Sequence, residues 1–238
     1  MPAIASAVRR RTSDRSSPET INPVAPQTLT DRAYASLEEL IVTLQLPPGE
    51  AVSEAALSKQ LAIGRTPIRE ALQRLARENL VVILPRRGVI VSEINVKTQL
   101  RLLEVRREVE RLVAKSAARR ATDPQRAQFS SLAREFERSA KRNDEVTFMR
   151  VDREFNGLCI VAARNEFAAG AMSLMHSLSR RFWYIHYKQA ADMPRAAKLH
   201  ANVARSIGAG DEDGAAQGSD RLLDYIEEFT RATVDADF

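Results

Sequence analysis

Three observations predict a mostly α-helical protein. Apolar residues recur at spacings of three and four through most of the chain. Glycine numbers only nine in 238 residues, which leaves little for strands and tight turns. The breaks between periodic stretches hold Asp, Asn, Gly or Pro, where a helix needs a cap or a stop. The exception is a pair of short β-branched runs near residue 85, which read as strands.

A chain of this length makes one large domain or two ordinary ones and buries a core without disulfides or metal staples. Its 44% hydrophobic and 28% charged content is that of a soluble globular protein. The one cysteine, Cys159, cannot pair within the chain and sits in the apolar run LCIVAA, as a small buried hydrophobe in a reducing compartment would. No apolar run approaches the length of a membrane span, and the first residues lack the apolar segment of a signal peptide. The expected location is the cytoplasm, with no membrane partner.

A net charge of +5 suits a polyanionic partner but suits many ordinary cytosolic proteins equally. Between Gln27 and Ser92 eight basic residues face seven acidic ones, so a DNA-facing patch there must come from arrangement rather than excess. The basic excess lies between Lys97 and Arg142, thirteen against six, and reads as a solvated helix face.

Residues 1–27 are rich in Ser, Pro, Arg and Thr without apolar periodicity, and are expected to form a disordered tail. Its Arg9, Arg10 and Arg11 read first as solubilising charge and second as nucleic-acid backbone contacts. From Thr30, the residues Ala33, Leu37, Leu40, Ile41 and Leu44 fall on one helical face, and the PPGE stretch ends that helix. Ser53 caps a short second helix with Glu54 in its first turn, and Gly64 permits a sharp reversal. Thr66 is expected to cap a third helix, with Pro67 at its first position and Glu70 in its first turn. There Ile68, Ala71, Leu72 and Leu75 form an apolar face, leaving Arg65, Thr66, Arg69 and Gln73 on the other. The runs VVIL and VIVSEI flank the turn PRRG and predict a β-hairpin with two arginines at its tip.

Three helices, a tight turn between the second and third, and a basic-tipped hairpin make a winged helix-turn-helix. The third helix of such a unit enters the DNA major groove, and the wing reaches the backbone or the neighbouring minor groove. Arginine suits both tasks because its fork grips guanine or phosphate with two hydrogen bonds.

The stretch LPPGEAVSEAALSKQLAIGRTPIREALQRLARENLVVILPRRGVIV resembles the DNA-binding domain of the GntR family of bacterial transcription regulators. The shared features are the P-P-G turn, S-E-x-x-L, R-T-P-[IV]-R-E-A-L and a G-x-x-V wing, over about 65 residues. The resemblance implies operator contacts by Arg65, Thr66 and Arg69, with Arg86, Arg87 and Gly88 in the wing. It departs at Gly64, where Ser or Thr is common, and at Ala55, where some relatives place a DNA-contacting arginine. Each departure removes a candidate phosphate contact without changing the binding mode.

From Val96 onward the pattern predicts six helices, near 96–121, 124–142, 144–163, 166–191, 194–209 and 213–232. A six-helix bundle offers an interior pocket for a ligand or metal. The segments EVRREVERLVAKSAA, VDREFN and LHANVARSIGAGD resemble the FCD ligand domain of the FadR-like branch, more loosely than the first domain matches its family. That resemblance implies a divalent metal held by an Asp-x-x-x-His pair and two later histidines, to which a carboxylate effector binds. Here the pair reads Asp152 and Asn156, His200 fits the next position, and Leu222 stands near the last. Three readings stay open: a weak divalent-metal site on Asp152, Asn156 and His200; a metal-free pocket where those residues bind an effector directly, with Arg106 as the family-matched carboxylate partner; and a structural hydrogen-bond cluster. No cofactor is otherwise implied. His176, Arg180, Arg181, Trp183, Tyr184 and His186 crowd one helix and read as core before ligand cage.

The domains expected are a tail at 1–27, a winged helix-turn-helix at 28–94, and a helical effector-binding and dimerisation domain at 95–238. Together they predict a homodimeric transcription factor, a repressor, that binds an inverted-repeat DNA operator and answers to a small-molecule effector, an organic acid. Two rival readings are a metal-dependent enzyme on the bundle and a sequence-indifferent DNA architectural protein.

Overall fold

The computed structural model of the protein describes residues 28–86 and 88–236; the predicted tail and Arg87 lie outside the described residues. The chain runs α1 (Leu29–Val42), β1 (Ala51–Val52), α2 (Glu54–Leu61), α3 (Arg65–Arg77), β2 (Val81–Leu84), β3 (Gly88–Val91), then α4 (Val96–Arg120), α5 (Asp123–Arg142), α6 (Glu145–Ala163), α7 (Glu166–Ala190), α8 (Met193–Ala209) and α9 (Glu212–Ala236). This is the mostly α architecture expected, a winged helix-turn-helix followed by a six-helix bundle.

Short-range chemistry sets the helix ends. Thr28 and Asp31 form a reciprocal capping box at the start of α1, and Thr122 and Gln125 do the same for α5. Ser53, Asn95, Asp144, Asn165 and Asp192 cap the helices that follow them. Each satisfies backbone N–H groups that the first helical turn leaves without partners.

Local expectations need correction at the end of α1 and around α2 and α3. The reversal is made at Ala62, which takes left-handed angles (φ 53°, ψ 36°), whereas Gly64 has an ordinary φ of −58°. A left-handed alanine costs about 1–2 kcal/mol, which the buried Leu57 and Ile63 on either side offset by packing. The third helix begins at Arg65, with Gly64 at its cap position and no side-chain cap; Thr66 lies within the first turn. Pro67 stands third in the helix, not first, and is tolerated because first-turn N–H groups have no intrahelical partner. Glu70 therefore falls beyond the first turn, and it accepts a hydrogen bond from Thr30 Oγ1 at 2.6 Å, tying α3 to α1. Leu44 lies past the end of α1 with φ 61°, and Leu46 enters the core instead.

The hairpin forms as expected, and a third strand joins it. β1 pairs antiparallel with β3 (Ala51 opposite Ile90, Val52 opposite Val89), giving the order β1-β3-β2. Gly88 has φ 95°, and a Cβ there would stand 3.3 Å from the Val52 carbonyl oxygen, so the β1 edge fits only glycine well.

The described residues hold two hydrophobic cores. One gathers α1, α2, α3 and the sheet around Leu37, Ile68, Leu72 and Leu75. The other fills the bundle, where α5 packs on α8 and α4 on α9, around Phe129, Phe136, Phe155 and Ile207. α7 touches both: Met172 and Met175 belong to the bundle core, while Leu178 packs on the first core.

Candidate functional site

The α3 face opposite the core is open. Ile68, Ala71, Leu72 and Leu75 are buried, while Arg65, Thr66, Arg69 and Gln73 are exposed. One side of the helix is fixed by packing, so the other is presented on a rigid support. Arg69 is not a free arm: Nε and a terminal nitrogen grip the two Glu54 carboxylate oxygens at 2.9 and 2.8 Å. That fork holds the guanidinium in one orientation between α2 and α3 and keeps the Glu54 carboxyl below its ordinary range. The sequence marks Glu54 only as a helix-dipole residue; its grip on Arg69 crosses fifteen positions of chain. Arg86 is exposed at the wing tip with φ 62°.

The bundle contains a cavity of about 520 Å³, within the range of small-molecule sites. Arg106, Asp152, Asn156 and His200, from α4, α6 and α8, all line it. The structure brings three of them into contact. His200 Nε2 lies 3.1 Å from Asp152 Oδ1, and the Asn156 amide nitrogen donates to the same oxygen at 3.0 Å. His200 Nδ1 lies 2.8 Å from the Ala196 carbonyl oxygen, so both ring nitrogens face acceptors. Phe136, Phe148 and Phe155 surround the imidazole with ring centroids 5.1 to 6.0 Å away. Burial pushes the Asp152 carboxyl up, but the His200 hydrogen bond and the charges of His200, His176 and Arg106 outweigh it and hold the group below its ordinary range. Arg106 stands apart from this trio in its pairing: it is engaged with Glu110 one turn along α4, Nε to Oε1 at 2.6 Å.

These residues do not fit the divalent metal that the resemblance implies. Asn156 turns its NH₂ donor, not its oxygen, toward Asp152, and the buried Leu222 lines the wall where a further imidazole is called for. Among the described residues, no group of three or more His, Cys, Asp and Glu side chains is placed to hold a metal ion. One carboxylate and one imidazole fall short of a zinc-type ligand set. Cys159 also lies in the cavity wall, where burial pushes its thiol well up and leaves it a poor ligand.

Two wall residues on α7 exceed their reading as core. His176 makes no hydrogen bond among the described residues, and burial brings its imidazole down to about 4, aided by Arg106, Arg180 and Arg153 and opposed by Asp152. Arg180 lines the cavity and also reaches α1, where it meets Glu38 Oε1 at 2.7 Å and Glu39 Oε2 at 3.3 Å. The next residue, Arg181, is 2% exposed and donates to the Ser92 carbonyl and hydroxyl oxygens at 3.0 Å each. The histidine and the arginine pair are visible in the sequence as a polar cluster. Which of them faces the cavity depends on how α7 meets α1, which no local pattern encodes.

Similarity to known proteins agrees with this geometry. The profile of the bacterial regulatory proteins of the gntR family matches residues 29–91, which include α3 and the wing. The FCD domain profile matches residues 101–225, which include the cavity wall. The chain is 24% identical over 211 residues to the HTH-type transcriptional repressor RspR of Escherichia coli K12, covering 89% of this chain and 92% of that protein. It is 25% identical over 180 residues to the Nta operon transcriptional regulator of Aminobacter aminovorans, covering 74% and 82%. The fold is shared with Escherichia coli McbR/YncC (TM-score 0.74, 18% identity, 87% of this chain and 99% of that one). A GntR regulator from Rhodococcus is also similar (TM-score 0.60, 19% identity, 87% and 98%). No helix among the described residues is long and apolar enough to cross a membrane. With an exposed recognition helix and wing in the one matched segment and a ligand-sized cavity in the other, the chain belongs to the GntR family of bacterial regulatory proteins, carries an FCD domain, and is a transcriptional regulator, not an enzyme.

Proposed function

We propose that the protein is a homodimeric repressor that binds an inverted-repeat DNA operator and is controlled by a small organic acid in the FCD cavity. Residues 28–94 carry the reader and residues 95–238 the effector site and dimer contact. The observation that carries this reading is the two-sidedness of α3: one face locked into the core, the other presenting Arg65, Thr66, Arg69 and Gln73 to solvent. Two such helices on a twofold axis reach successive major-groove faces about 34 Å apart, which calls for an inverted repeat. Arg86, Arg87 and Gly88 bring the wing to the flanking backbone. In the cavity Asp152, Asn156 and His200 offer hydrogen bonds to the effector, and Arg106 shares its charge between Glu110 and the effector carboxylate. The protein works in the cytoplasm, where the operator is.

The test is selection of bound sequences from a random duplex library at about 150 mM salt, where attraction to the DNA backbone is damped. An enriched inverted repeat is expected. Binding without enrichment would replace this reading with sequence-indifferent attachment. The near balance of charge between Gln27 and Ser92 argues against that alternative, because such binding depends on neutralising phosphates.

A further inference from the structure

A filled cavity alters DNA binding only if something in its wall is shared with the winged-helix part. Arg180 is shared. It lines the cavity, and its guanidinium holds Glu38 and Glu39 of α1. The Arg180–Glu38 pair is shielded, with side chains 15% and 13% exposed, so it is not a weak surface contact. Arg153 of α6, another wall residue, adds a bond to Glu39 at 2.7 Å. Tyr34 and Glu38 line the cavity themselves, so α1 supplies part of its wall.

The charge around this junction is suited to an anion. His176 is a half-buried imidazole in the same wall with no hydrogen-bond partner among the described residues, and Arg106, Arg180 and Arg153 act on it against Asp152. Arg106, Arg153 and Arg180 all line this wall, so an anion in the cavity meets three positive side chains, although each already has a carboxylate partner. The rest of the wall includes Phe148, Phe155, Trp183 and Phe229, which suit an apolar body.

We propose that the ligand is a carboxylate on an apolar body, bound beside His176, and that its anionic group takes Arg180 from Glu38 and Glu39. Filling the cavity and holding α1 are then alternative uses of one guanidinium. This rests on the effector reading above and adds its mode of action: α1, and with it α3, is released when the cavity fills. Because binding and release are linked, removing the competing carboxylates must strengthen ligand binding.

The experiment titrates benzoate, phenylacetate and hexanoate, each beside its primary amide, into the full chain. Binding is read by fluorescence of Trp183, the one tryptophan, which lies in the cavity wall. At least one acid is expected to give a saturable change, with its amide at least tenfold weaker. Arg180→Met is expected to weaken that acid about tenfold, and the double variant Glu38→Gln, Glu39→Gln to bind it at least fivefold more tightly. Circular dichroism confirms that each variant is folded. Amides equal to acids, or no response to any of the three acids, overturn the anionic ligand. Unchanged or weaker acid binding in the folded double variant overturns the competition for Arg180. The same preparations go into the operator selection, where failure of the unliganded protein to enrich a repeat counts against the regulator reading alone.

Discussion

At the scale of single residues, His176 is uncharged near neutral pH because lost hydration and the charges of Arg106, Arg180 and Arg153 disfavour an imidazolium more than Asp152 favours it. In the folded protein it titrates at about 4 against 6.5 for an ordinary imidazole, so the folded state binds fewer protons between those values. The resulting contribution to stability is complete above pH 6.5 and is lost as pH falls through the window to 4, by about 3 kcal/mol in total. In denaturant unfolding at a series of pH values, His176→Gln should lack this decline; curves for wild type and variant that stay parallel would contradict the buried, neutral ring. Asp152 and His200 carry a different expectation. They lie in the bundle, away from the α3 face, so Asp152→Ala or His200→Ala should leave operator binding within about twofold and abolish the effector response, because each leaves its buried partner without its hydrogen bond. Unchanged induction, measured by operator release, would remove both from the effector site. Of these residues, Asp152, Asn156 and His200 were legible as a set through the resemblance to the FCD ligand domain; helical spacing alone joins only Asp152 and Asn156. That Asn156 would present its amide hydrogens, and so spoil a metal site, was not legible, because amide orientation is decided by the partner it meets.

At the scale of elements, α3 and α7 do opposite jobs. α3 was almost fully readable, since its buried face repeats at i, i+3, i+4 and i+7, and only its first residues were misplaced. The cause is alanine at position 62: nothing in an alanine announces a left-handed conformation, whereas Gly64 nearby does so and does not adopt one. β1 was invisible for a related reason, because two residues become a strand only by pairing with Val89 and Ile90 some forty positions away. α7 was placed correctly as a helix, yet its role as the element joining the two cores depends on contacts with α1 and with the Ser92–Glu93 segment. Arg181 is central to that joint. Burial lowers its guanidinium to about 10, opposed by the charge of Glu93, and among the described residues Nε finds no hydrogen-bond partner. Arg181→Ala removes charge-assisted bonds to three acceptors and should cost about 3 kcal/mol. Calorimetry should then resolve two unfolding transitions, the winged-helix part melting first. A single transition at the wild-type temperature would show that the joint is held elsewhere.

At the scale of the whole molecule, two cores in one chain divide the labour between reading DNA and sensing a ligand. Part of the basic excess that the sequence places in α4 and α5 is paired within the bundle, where Arg107, Arg111 and Arg120 meet Asp220, Asp224 and Glu227 of α9 and the carbonyls of Ala163 and Arg164 at the end of α6. In the proposed reading, DNA affinity rests on a few placed arginines in the first part, where acidic and basic residues nearly balance. The most direct measurement is the affinity of wild type and Arg69→Ala for the enriched repeat and for a scrambled duplex of equal length, at one salt concentration. The expected result is a loss of about 1–3 kcal/mol on the repeat and little on the scrambled duplex. Equal losses on both would assign Arg69 to the backbone and contradict the claim that the exposed face of α3 reads bases.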